Sequence, residues 1–174
     1  MTDADTKPPQ GSPFWRFSLQ FYRQPAVADA CIALQESSGV DVNLLLFLLW
    51  HARQRRSLAR AEVEALEARI GAWREATVIP LRGVRRALKS PPALVAPGTA
   101  EAFRTRIKAV ELEAERLQQE AMYDLVRASL LGQEAPSPED AARVSVAAYE
   151  TICAAAFSRP AVETLLAALT TMKT

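Results

Sequence analysis

An all-α fold follows from three observations on this sequence: a single-domain bundle of six to seven helices with one long antiparallel hairpin. Almost every segment repeats its apolar residues with the 3.6-residue period, and none sustains a period of two. Ala, Leu, Arg, Glu and Gln, all good helix formers, dominate the 174 residues. Glycine is scarce, at 6, while 11 prolines fall where helices start and stop. A chain of this length encloses a real core without disulfides or metals.

Residues 1–12 read as a polar, disordered leader, with no basic stretch and no apolar run of the kind that targets a chain for secretion. The bundle then occupies residues 13–174. Ser12-Pro13 is a helix start that carries the chain to about Arg23, and Pro25 opens a second helix in the same way. Val27, Cys31, Leu34 and Gln35 line one face of it, and Gly39 ends it. Asp41 caps a third helix, Val42 to about Arg56. Its run Leu44 to Trp50 is apolar all round, which places it at the centre of the bundle. The same run is far shorter than the ~20 residues of a membrane span.

The hairpin occupies residues 58–131, about a loop at 90–98. Ser57 caps its first arm, where Val63, Leu66, Ile70 and Trp73 keep a coiled-coil spacing. Pro80 lies inside that arm and predicts a kink, because its ring meets the carbonyl of Ala76; Leu81, Val84 and Leu88 then resume the seam. The second arm starts at Thr99 and carries the seam Phe103, Ile107, Val110, Ala114, Leu117, Ala121 and Leu125. A short connection between long helices makes the pair antiparallel. Such a seam closes within one chain or between two copies, which leaves a homo-oligomer open. Beyond a loop at Gly132 to Pro136, Ser137-Pro138-Glu139-Asp140 begins a helix to about Phe157, and Arg159-Pro160 begins a last one.

The N-terminal third carries a distinctive string: Phe14-Trp15-x-Phe17-Ser18-Leu19, Tyr22, Pro25, Val27, Ala30-Cys31, Leu34-Gln35, Gly39-Val40-Asp41-Val42-Asn43 and Leu44 to Trp50. It resembles a proteobacterial family of small helical proteins, the domain of unknown function numbered 2390, over about residues 13–90. The resemblance implies a bacterial, soluble, all-helical protein and brings no activity or catalytic residue with it.

Charge is the main functional signal. The chain nets +1, yet residues 1–50 net −2, residues 51–98 net +6 and residues 99–174 net −3. Arg82, Arg85, Arg86 and Lys89 form one helical stripe at i, i+3, i+4 and i+7. Folding the hairpin brings Arg104, Arg106 and Lys108 beside it, so the tip is expected to hold seven cations against one acid, Glu101. Lower down, Arg69 and Arg74 are expected to meet Glu111, Glu115 and Glu120. Arg side chains suit carboxylate or phosphate. On this reading, replacing Arg82, Arg85 and Arg86 with Glu abolishes partner capture and leaves helicity and melting unchanged; if capture survives, the tip is only a solvated face.

A second signal is aromatic crowding in the first helix. Phe14, Phe17 and Phe21 share the core face, while Trp15 and Tyr22 point elsewhere as docking anchors. A third is the set Asn43, Trp50 and His51 on the central helix, a potential small-molecule pocket.

Catalysis has little to draw on. There is 1 His, the 2 Cys are isolated, and no glycine-rich phosphate loop, nucleophile elbow or Glu-x-x-His occurs. The expectation is therefore a non-enzymatic cytoplasmic protein with no cofactor, metal or catalytic residue. It would bind another macromolecule, in the first place a protein, through the Arg-rich tip and the aromatic helix. The alternatives are nucleic acid bound by the same tip, and a small molecule bound near Asn43, Trp50 and His51.

Overall fold

A computed structural model describes residues 11–172, and the fold is helical throughout apart from one two-stranded ladder. The central element is α3, Val42–Arg53. The Asp41 carboxylate accepts the N–H groups of Asn43 and Leu44 at 2.8 and 3.2 Å, which satisfies donors the first turn would otherwise strand. Every residue from Asn43 to Ala52 is buried, as an all-round apolar helix requires. Around it stand α1 (Pro13–Tyr22), α2 (Val27–Ser38), α6 (Pro97–Val126) and α7 (Pro138–Cys153), with α8 (Arg159–Thr171) laid against α2 and α7.

Local chemistry moves several boundaries from their expected places. Ala26 takes a left-handed conformation (φ +62°), so α2 starts at Val27, not at Pro25. Arg55 does the same (φ +58°) and stops α3 at Arg53. The chain then runs through β1, Arg56–Ser57, which pairs antiparallel with β2, Gln133–Glu134, placing Arg56 opposite Glu134. Ser57, expected to cap the next helix, is thus a strand residue. Glu62 takes over the cap, accepting the N–H of Ala59 at 2.8 Å and that of Gly132 at 2.9 Å. A two-residue ladder has no periodicity to read, so the sequence gives no warning of it.

The first hairpin arm is one continuous rod: α4 (Arg60–Trp73), a π turn (Arg74–Val78) and α5 (Ile79–Ala87). The irregularity lies just before Pro80, where the ring denies the ladder an N–H; a wider turn absorbs the mismatch. The second arm, α6, starts two residues earlier than expected and ends at Val126, five short of Leu131. With α4 to α5 counted as one, the described residues form seven helical rods. Residues 1–10 of the expected leader lie outside the described residues. Ser12 is built into the fold: it is buried, its Oγ caps Trp15 N–H at 3.0 Å, and its own N–H reaches Glu120 at 2.9 Å.

Candidate functional site

The hairpin is where the sequence concentrated its cations, and its folded register redistributes them. Arg82 donates to Glu111 at 3.2 Å and to Glu115 at 3.0 Å. Arg85 forks onto both oxygens of the same Glu111. The Glu111 side chain is only 7% exposed and the two guanidiniums about one fifth, so this cluster is part of the wall between the arms. Burial lifts the Glu115 carboxyl above its ordinary value while Arg82 pulls it down. The hydrogen bond to Glu111 raises Arg85. Arg74, expected to meet Glu111, Glu115 and Glu120, instead bonds Glu67 at 2.5 Å and Asp41 at 3.2 Å.

The tip therefore does not hold the seven free cations expected of it. Arg82 and Arg85 are spent inside the hairpin, Arg86 lies 3.6 Å from Glu36, and Arg104 lies 2.8 Å from Glu101. Lys89, Arg106 and Lys108 remain, exposed and without an ion-pair partner among the described residues. The reason is the rotation of α6. The sequence seam predicts that Phe103, Val110, Leu117 and Leu125 face the first arm. Instead the buried line runs through Glu111, Ala114, Gln118, Gln119 and Met122.

Polar partners on other elements make that rotation favourable. Gln118 donates to Asp41 at 2.9 Å, Gln119 donates to Asn43 at 2.8 Å, and Trp73 Nε1 donates to the Ala114 carbonyl at 3.1 Å. The apolar seam is left outside: Phe103, Val110, Leu117 and Leu125 are 40–51% exposed. At the tip, Leu88, Pro91, Leu94, Val95 and Phe103 line a groove of about 520 Å³, with Arg106 on its edge. Leu94 is almost wholly exposed, at 94%.

The other predicted residues lie elsewhere. Trp15, expected on a free face, is buried at 9%, because α1 packs on both α3 and α6; Tyr22 is half-exposed. Asn43, Trp50 and His51 are buried in the core. His51 lies between Phe47 and Trp50, with ring centroids at 4.5 and 4.9 Å, and its Nδ1 is 3.1 Å from the Phe47 carbonyl. Burial pushes its pKa down to about 4, and Nε2 has no partner among the described residues. Phe14 and Tyr123 close the space around Trp50 at 5.6 and 5.8 Å, so aromatic rings occupy the place where a small-molecule pocket was expected. Burial also pushes the Cys31 thiol up to about 12, which keeps it unreactive near neutrality.

A family model described as Protein of unknown function (DUF2390) matches residues 13–122. The chain belongs to this family. The match runs from α1 through most of α6, so the membership covers the central helix, the tip groove and the exposed seam as far as Met122. Comparison with curated proteins finds no match, and neither does comparison with solved structures. No helix among the described residues is long and apolar enough to cross a membrane.

Two features of the hairpin have weak signals in the sequence. One is the tip groove, because Leu94 and Val95 stand in a proline-rich stretch without periodicity. The other is the buried Glu111, whose signal was available: Glu111 and Glu115 are one turn apart, as Arg82 and Arg85 nearly are, and an antiparallel register brings the pairs together.

Proposed function

We propose that this protein is a non-enzymatic, cytoplasmic bacterial adaptor whose hairpin docks a protein partner. The observation that carries the reading is the unpartnered apolar face of the outer hairpin. The Leu88–Leu94–Val95–Phe103 groove and the seam below it expose large side chains that the fold leaves uncovered. Contiguous apolar surface rimmed by charge is the usual signature of a protein contact. Arg106 lines the groove, and Lys89 and Lys108 are exposed elsewhere on the tip, which suits an apolar segment that also carries carboxylates.

Nucleic acid is the weaker reading, because the Arg82 and Arg85 guanidiniums already serve Glu111 and Glu115. Three remaining cations would give a binding loss of about 40-fold between 50 and 200 mM salt, against the far larger loss expected of a seven-cation tip.

The test is capture of the tagged chain from its own cells, with and without nuclease, beside the variant Lys89→Glu/Leu94→Asp/Lys108→Glu. All three residues are exposed, so the variant keeps its melting temperature. The reading expects one or a few proteins that resist nuclease and are lost with the variant. Proteins that leave with nuclease, or that the variant still holds, would overturn it.

A further inference from the structure

The occupant of the exposed seam is written in its own charge pattern. Phe103, Val110 and Leu117 recur at intervals of seven on one face of α6, with Ile107 and Ala121 beside them. The tip end of this face is basic, with Arg106 beside the seam and lining the groove, and the exposed Lys89 next in the chain to the groove residue Leu88. Its base carries Glu113, Glu120 and Asp124 beside Leu117, Ala121 and Leu125; Arg116 pairs with Glu113 and Arg127 with Asp124, so Glu120 is the carboxylate there without an ion-pair partner among the described residues. The acidic, apolar helix that the tip would accept is therefore present at the other end of the same helix. It cannot reach its own tip, since both ends belong to one unbroken helix of 30 residues.

We infer that the seam is covered by α6 of a second copy, packed antiparallel across a two-fold axis near Leu112. This rests on the reading above that the hairpin docks a protein, and it names that protein as the chain itself. In this register Phe103 faces Ala121 of the second copy and Ile107 faces Leu117, while the two Val110 side chains flank the axis; Ala114, turned inward, takes no part. Arg106 then lies beside Glu120 of the second copy, twice over by symmetry. Of the two registers one heptad away, one sets Arg106 against Arg127 and Glu113 against Glu120, so like charges reject it; the other sets Arg106 against Glu113, already held by Arg116, and Phe103 against the inward-turned Ala114. On the axis the two Glu113 carboxylates approach each other, and each is already held by its own Arg116 at 2.7–2.9 Å.

The contact is about 27 Å long, from Phe103 to Ala121, at 1.5 Å per residue. That is a modest interface of the weak, concentration-dependent class. Each tip ends against the acidic base of the other copy, so the site is complete only in the pair.

Sedimentation equilibrium of the untagged full chain tests this across micromolar to millimolar concentration. The wild type is expected to rise from 19.1 kDa toward twice that mass. Arg106→Glu and Leu117→Glu are each expected to weaken the dimer by at least about tenfold. Glu120→Gln should weaken it too, while its amide oxygen keeps an acceptor for the Ser12 N–H. The pair Arg106→Glu/Glu120→Arg should recover the dimer, with circular dichroism confirming that every variant is folded.

A wild type that stays monomeric at millimolar concentration overturns the self-pairing; the nuclease-resistant capture above still decides whether the tip docks some other protein. A dimer that ignores Arg106→Glu and Leu117→Glu also overturns it, since association then uses another face.

Discussion

Glu111 is the residue on which the hairpin's electrostatics turn. Its carboxylate is almost fully buried and serves Arg82 and Arg85 together. Glu111→Ala would leave two guanidiniums, each about four fifths covered, with only Glu115 and water to turn to. Breaking a fully buried pair costs about 3–5 kcal/mol and an exposed one less than about 1. The partial exposure of both Arg side chains places this loss at about 2 kcal/mol. For a domain of this size that lowers Tm by roughly 4–8 °C.

The assay is thermal and urea unfolding followed by circular dichroism, for Glu111→Ala, for Arg82→Ala/Arg85→Ala and for the triple variant. The triple should lose less than the sum of the other two, because it leaves no uncompensated charge. For the same reason, replacing Arg82, Arg85 and Arg86 with Glu should destabilise the fold, not merely its surface, by crowding three acids around Glu111 and Glu115. If Glu111→Ala melts within about 0.5 kcal/mol of the wild type, the ion cluster is no part of the wall and the basic stripe is solvated after all.

Other outcomes follow from the same structure. His51, at about 4 when folded against 6.5 when free, binds its proton in the unfolded chain first, so stability falls as pH drops through that window. The loss is about 2 kcal/mol between pH 7.5 and 5, read from urea midpoints, and His51→Phe should flatten it. Gly132 sits at φ +81°, and a Cβ there would come within 2.3 Å of the Ser57 carbonyl oxygen. Gly132→Ala should therefore cost more than about 2 kcal/mol and loosen the β1–β2 ladder, as amide exchange would show. Gly39, also left-handed but facing open space, should cost only about 1 kcal/mol as Ala.

The helices were legible because their signals are local. The Ser12-Pro13, Asp41 and Ser137-Pro138 starts cap the helices expected of them, and Leu44 to Trp50 is the centre. What misled was the inference from an apolar seam to an inward face. On α6 three side chains from other elements, Asp41, Asn43 and Trp73, reward a polar face for turning inward. No periodicity on α6 itself encodes them. The same rotation brought Glu111 under Arg82 and Arg85 and removed most of the expected basic tip. Trp15 shows the opposite error. A residue off the core face of α1 is still buried, because a second neighbour, α6, covers that side.

The claim that the outer hairpin is the contact surface is tested most directly by photo-crosslinking in the native cell. A photoreactive residue would replace Leu94 at the tip, Val110 on the seam or Val144 on α7, all exposed. The account predicts protein adducts from positions 94 and 110, including adducts between copies of the chain at 110, and none from 144. Adducts from position 144 alone, or nucleic acid in place of protein at 94, would contradict it.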